Sequence, residues 1–293
     1  MNKKVLDHYL QYSQFTYPGL YENYLKSLTN NIRELGLLVR KQLIHRTTLA
    51  AGNTGSNEDL KYGDMTKVPW SRQAEDDYFN TAVSIIAELF RRDSRGFTLK
   101  RKPQNKVVLT CRHTTLLMAS ILKAKGIPGR VRSGNASYFP EEKGLSSDHW
   151  INEYWSDKES RWIIIDVDGS LHNTGFDMYD LPPDAFDYPA KAWLAIREGK
   201  VDADHFWNAK PAAGLKVVGW ALFYDFHCLM NNEIVYLHSP AYLYSKWDSL
   251  TEDDRLELDK LAKIMLDPEK NFDRLAQIWE VNRKYRILKG GLL

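Results

Sequence analysis

The 293-residue sequence predicts an α+β fold, with a small α+β centre flanked by N- and C-terminal helical parts. Three observations predict it. Apolar residues recur at helical spacing in the first hundred residues and again after Pro182. Between these regions lie short runs rich in Val, Ile, Trp and Tyr, the residues that suit strands. One helix, opened by Thr110, stands at the head of those runs. The parts are 1–105, 106–181 and 182–293; no clean linker divides them, so they are expected to pack as one unit.

The elements follow in order. In 21–45, Tyr24, Leu25, Leu28, Ile32, Leu35, Leu38 and Val39 keep a helical spacing. Residues 50–68, rich in Gly, Asn, Thr and Asp, read as a long loop. A second helix is expected over 71–92, with Phe79, Val83, Ile86 and Phe90 on one stripe. The helix at 111–125 buries Leu117, Ile121 and Ala124, and Gly126 and Pro128 stop it. Strand-like pieces come next at 129–134, 136–139, 149–155 and 162–167, with a polar loop at 140–148. Helices are expected again at 190–199, 215–231, 252–266 and 272–288. Thr251 followed by Glu252, Asp253 and Asp254 is a cap with acids in the first turn.

Composition narrows the function classes. Apolar residues at 43% and charged residues at 27% suit a soluble chain with a sizeable core. A net charge of +2 argues against a nucleic-acid or membrane-surface partner, and Lys100-Arg101-Lys102 reads as a solvated loop. No apolar stretch reaches the roughly 18 residues a membrane helix needs. Asp7 and His8 fall where a signal peptide would carry its apolar segment, so the expected location is the cytoplasm. The two cysteines, Cys111 and Cys228, form no CxxC pair and are expected as thiols in a reducing compartment. Cys228 lies in an apolar helical run and reads as core. His227 beside it does not face it, because adjacent helical positions diverge.

Cys111 stands apart. Behind the Thr110 cap its thiol falls in the first turn of a helix, where unpaired N–H groups and the dipole favour a thiolate. In the strands, His149 and Asp166 face one side if 156–159 form the hairpin loop. Trp155 then pairs with Ser160, and His149 stands opposite Asp166. A carboxylate there orients the imidazole and leaves its other nitrogen for the thiol. A six-residue loop pairs His149 with Asp168 instead, which keeps Asp168 as the alternative orienter. The Cys111 backbone N–H is the natural first oxyanion donor. Gln104 and Trp70 are candidates for the second. His113 lines the cleft or lies on the surface. His113, His149 and Asp166 lack HExxH-type spacing, so no metal is expected; no cofactor is expected either, and no EF-hand loop suggests calcium.

Three stretches resemble the transglutaminase-like superfamily. Cys111-Arg112-His113 and 122–131 (Leu-Lys-Ala-Lys-Gly-Ile-Pro-Gly-Arg-Val) resemble its nucleophile helix and first strand. The run 148–155 (Asp-His-Trp-Ile-Asn-Glu-Tyr-Trp) resembles its histidine strand, and 161–166 (Arg-Trp-Ile-Ile-Ile-Asp) its aspartate strand. The order Cys, His, Asp is the same. Trp150 directly after His149, and Val167-Asp168 after Asp166, depart from the family's usual residues without removing a catalytic group. The resemblance covers 106–168, about a fifth of the chain. It implies a papain-like α+β core and thiol acyl chemistry, with Cys111 as nucleophile, His149 as base and Asp166 as orienter. The substrate expected is a peptide or small molecule bearing an amide or thioester. The rival readings are an amide synthase acting on a carrier-bound or small-molecule acyl group, and a catalytically silent papain-like scaffold.

Overall fold

The computed structural model describes residues 2–47, 67–139, 144–172, 174–208, 213–236 and 238–289. Most of the loop read at 50–68, and 140–143 of the polar loop, lie outside the described residues. In chain order the first half runs α1 (Lys3–Leu10), α2 (Glu22–Ser27), α3 (Ile32–Gln42), β1 (Leu43–His45), α4 (Glu75–Tyr78), α5 (Ala82–Arg92), β2 (Val107–Leu109) and α6 (Cys111–Ala124). Strands β3 (Gly129–Ala136), β4 (Ser146–Ser156), β5 (Arg161–Ile165) and β6 (Phe186–Asp187) follow. The chain continues through α7 (Pro189–Arg197), β7 (Phe206–Trp207), α8 (Leu215–Leu229), β8 (Ser239–Pro240) and α9 (Ala241–Lys246). It ends with α10 (Glu252–Met265), α11 (Phe272–Val281) and β9 (Leu288–Lys289). The α+β class holds: helices accompany a five-stranded, mainly antiparallel sheet in the order β5-β4-β3-β6, with β7 against β4. No helix among the described residues is long and apolar enough to cross a membrane.

The chain forms two compact units. The first comprises Met1–Tyr9, Arg130–Trp150 and Leu181–Leu293, and the second Leu10–Gly129 and Ile151–Asp180.

In the second unit, two expected helices each break at a cap. The run at 21–45 divides because Asn31 Oδ1 accepts the Arg33 and Glu34 N–H groups (3.0 and 3.2 Å) and starts α3 afresh. Beyond Gln42 the chain becomes extended. Leu43, Ile44 and His45 pair in parallel with Val107, Val108 and Leu109. The run at 71–92 divides at Thr81, which shares a reciprocal capping box with Ser84. The new start shifts the buried stripe of α5 to Ala82, Ile85, Ile86 and Leu89. That stripe, Leu35 and Val39 of α3, and Leu117, Met118, Ile121 and Leu122 of α6 share one core. Every residue of α6 is buried, so it is the unit's central helix. Each fully buried Leu or Ile there contributes about 1.5–3 kcal/mol. The helix stops as expected: Gly126 takes φ +73°, and the N–H groups of Gly126 and Ile127 donate to the Lys123 and Leu122 carbonyls (3.0 and 2.9 Å).

The hairpin of β4 and β5 forms in the register of the alternative, the one that aligns 149 with 168, and not in the one that sets His149 opposite Asp166. Trp155 pairs with Trp162 rather than Ser160, Ser156 pairs with Arg161, and the ladder ends at Asn152↔Ile165. The loop is therefore 157–160, not 156–159. Ser160 supplies the reason, since it takes φ +52° and so belongs to the turn. Asn152 Nδ2 donates to the Thr115 carbonyl (3.0 Å), which ties β4 to α6 inside this unit.

In the first unit, β3 pairs with β6 through Asn135↔Asp187 and Ala136↔Phe186. The start of β4 pairs with β7 in parallel, Ser146↔Phe206 and Ser147↔Trp207. Helix α8 is almost wholly buried. Its Asp225, 0% exposed, receives Arg132 through two bonds of 2.8 Å and the Ser133 N–H at 3.2 Å. Such a bidentate pair suits a buried site, because both carboxylate oxygens are satisfied. The Thr251–Asp254 capping box opens α10 as expected. The helix expected over 272–288 ends earlier, at Val281, and its tail returns as β9 to pair with β8.

Candidate active site

The second unit builds its polar centre around the start of α6. Cys111 is the first residue of that helix and is 5% exposed. Strand β2 delivers it, and a buried lattice behind holds β2. Glu75 Oε2 accepts the Val108 N–H at 2.8 Å. Arg72 and Arg92 both pair with Glu75 (2.5 Å each) and donate to the Lys106 carbonyl. The cap of α6 is unusual in using a histidine. The Thr110 N–H donates to His113 Nδ1 (3.3 Å), and the Thr110 hydroxyl lies 2.8 Å from the same atom. His113 is therefore neither surface nor open cleft; it is 2% exposed. Burial, then the Arg112 charge and His45, push its pKa well below the usual imidazole value, while a bond to the Asp76 backbone opposes them. His113 is thus a neutral capping group.

Beside the thiol stands a residue the sequence did not single out. His45 ends β1, in register with Leu109 two residues before Cys111. Its imidazole lies within interaction range of the Cys111 side chain. Nε2 lies 3.8 Å from Asp168 Oδ2, and Nδ1 lies 2.7 Å from Thr47 Oγ1. Burial lowers the pKa of His45, but the Asp168 carboxylate and the Cys111 side chain outweigh burial and Arg40, so the net shift is upward. Asp168 is held in turn. Thr114 Oγ1 donates to its Oδ1 (3.2 Å), Arg40 Nε donates to its main-chain oxygen (3.1 Å), and Nε lies 3.6 Å from Oδ1. Arg40 is 1% exposed, so its charge acts with little screening by water.

The other expected residues fall as follows. Asp166 is in the second unit, fully buried, its Oδ1 accepting the Gly169 N–H at 2.8 Å. A side chain at Gly169 would place its Cβ 2.4 Å from Asp166 Oδ2, so this turn requires glycine. His149 is in the first unit on β4, 3% exposed, with Phe139 and Tyr138 edge-on at 4.9 and 6.3 Å. Trp70 opens a short turn and is 49% exposed. Gln104 is exposed and borders a groove of about 440 Å³ with Pro69, Arg72, Glu75 and Arg92. Its carbonyl accepts from Arg72 (2.6 Å). Cys228 is fully buried, as expected of a core residue, and neither cysteine forms a disulfide.

A scan against protein-family models and searches of curated proteins and solved structures return no match for this chain. The functional reading therefore rests on the residues alone. No cluster of three or more potential metal ligands occurs among the described residues. The signal for His45 was faint in the sequence. It closes a short Leu-Ile-His run that the helical spacing upstream had absorbed, and only its pairing with β2 brings it to Cys111.

Proposed function

We propose that the chain is a cysteine-dependent enzyme that transfers or hydrolyses an acyl group at an amide or thioester carbonyl. The Cys111 thiolate attacks the carbonyl carbon and forms an acyl-enzyme. An imidazole takes the thiol proton and returns one to the leaving group, and water or an amine then releases the acyl group. One observation carries this reading: a thiol at the first residue of a buried helix, within interaction range of an imidazole that has a carboxylate beside it. A structural cysteine needs no such company. The three sequence stretches that resemble transglutaminase-like enzymes support the same chemistry. They name His149 as base and Asp166 as orienter, on a papain-like core. The α+β class and the β4–β5 hairpin are compatible with that core. The chemistry suits a reducing, cytoplasmic setting, where the thiol stays reduced.

The test is turnover of small amide and thioester donors, with and without a competing amine. Cys111→Ser is expected to abolish turnover, while Cys228→Ser retains it. Amide product in the presence of the amine separates transfer and synthesis from hydrolysis. Unchanged turnover in Cys111→Ser contradicts the proposal.

A further inference from the structure

The second unit sets an imidazole and a carboxylate beside Cys111 that are not the two the sequence order names. His45 acts on the Cys111 side chain from β1, and Asp168 Oδ2 lies 3.8 Å from the ring's Nε2. We infer that His45, oriented by Asp168, is the catalytic group that takes the Cys111 proton and holds the thiolate as an ion pair. This deepens the acyl-transfer reading and rests on it. The step balances within the site. The thiol S–H bond breaks, an N–H bond forms on the imidazole, and the electron pair stays on sulfur, while Thr47 holds the ring through Nδ1, which accepts its N–H at 3.3 Å and lies 2.7 Å from its hydroxyl. The new imidazolium then faces Asp168 Oδ2.

The surroundings favour that charged state. Among the described residues, the charged and titratable groups that act most on His45 are Asp168, Cys111 and Arg40, and His45 in turn acts on His113. Arg40 opposes a proton on His45. It also lies 3.6 Å from Asp168 Oδ1, where it favours the ionised carboxylate that the imidazolium needs. Thr114 fixes the same oxygen, so Asp168 is anchored on one oxygen and presents the other to the ring. Asp168 is thus a positioning residue, acting through His45. Asp166 sits in the turn before it, with one oxygen committed to the Gly169 N–H.

The experiment is iodoacetamide labelling of the full chain against pH, read at the Cys111 peptide so that Cys228 is counted separately. The parent, His45→Gln, Asp168→Asn and His149→Ala chains are compared. The expected parent midpoint lies well below the ordinary thiol value of about 8.5. His45→Gln raises it by about one pH unit or more, the size of a lost charge partner. Asp168→Asn raises it by less, an effect that a packing role alone does not produce; it also reads the same pair if His45→Gln fails to fold. A midpoint unmoved in both variants but raised in His149→Ala overturns the His45 assignment and leaves the acyl-transfer reading standing. A parent midpoint near 8.5, or a parent chain that does not label, overturns both.

Discussion

The chain offers two cysteines with histidines nearby, and the pKa values of those histidines shift in opposite directions. In the first unit, Cys228 and His227 are neighbours along α8 and both fully buried. His227 Nε2 lies 2.8 Å from the Tyr285 carbonyl, and Nδ1 lies 2.9 Å from Asn232 Nδ2. Burial pushes the His227 pKa down to about 4, against the pull of the Tyr285 carbonyl. In the second unit, Cys111 and His45 are far apart in sequence, yet the pairing of β1 with β2 makes them partners. Burial acts on His45 as well, but Asp168 and the thiol reverse its effect. The difference lies in what meets the ring: the Asp168 carboxylate at His45, a carbonyl and an amide at His227.

The largest test of this contrast is the pair Cys111→Ser and Cys228→Ser. The first is expected to lower thioester turnover by at least about 10³-fold, as loss of a nucleophile does. The second leaves the rate within a factor of a few. Equal losses in both would erase the distinction between the two regions.

Next in size is pH-dependent stability, where the two histidines carry opposite signs. The folded pKa of His227 is depressed, so the unfolded chain binds its proton first. Its contribution falls as pH drops from about 6.5 to about 4, by up to roughly 3 kcal/mol. Urea midpoints across that range should lose most of this slope in His227→Gln. For His45 the folded pKa is raised. Its contribution is full below the unfolded value near 6.5 and is lost as pH rises through the folded value. A His45→Gln chain should therefore lose stability at low pH relative to the parent, and the deficit should shrink as pH rises.

Smaller effects sharpen the second unit's side of the comparison. Gly169→Ala would set a Cβ 2.4 Å from Asp166 Oδ2 and 2.6 Å from Met178 Cε, and should cost about 1–3 kcal/mol by denaturant unfolding. Thr114→Val removes one anchor of Asp168 and should cost about 1 kcal/mol. It should also raise the Cys111 labelling midpoint slightly. A Thr114→Val chain matching the parent in both readouts would show that this hydroxyl does not hold Asp168.

Much of this was legible locally. The start and stop of α6 follow from Thr110, Gly126 and Pro128, and the start of α10 from Thr251 and the acids behind it. Caps and positive-φ glycines act over a few residues, so a sequence displays them. The hairpin was legible as strands, and its register is the one that the sequence kept as the alternative, with Trp155 opposite Trp162. Ser156 and Ser160 are both turn-tolerant, and only the backbone conformation of Ser160 decides between them. His45 was hidden for a different reason. Leu43, Ile44 and His45 continue a helical spacing on the page, and their extended form depends on pairing with β2 far along the chain. The Glu75, Arg72 and Arg92 lattice that supports Cys111 was hidden likewise, since Arg92, the Lys106 carbonyl and the Val108 N–H join Arg72 and Glu75 from further along the chain.

The central claim is that Cys111 forms the covalent intermediate. The most direct measurement is to mix the full chain with a small thioester donor, quench with acid and map the acyl adduct by peptide mass. The account predicts one acyl group on the peptide carrying Cys111. It should be removed by hydroxylamine and be absent from Cys111→Ser. An adduct on Cys228, or none on Cys111 while the donor is consumed, would contradict it.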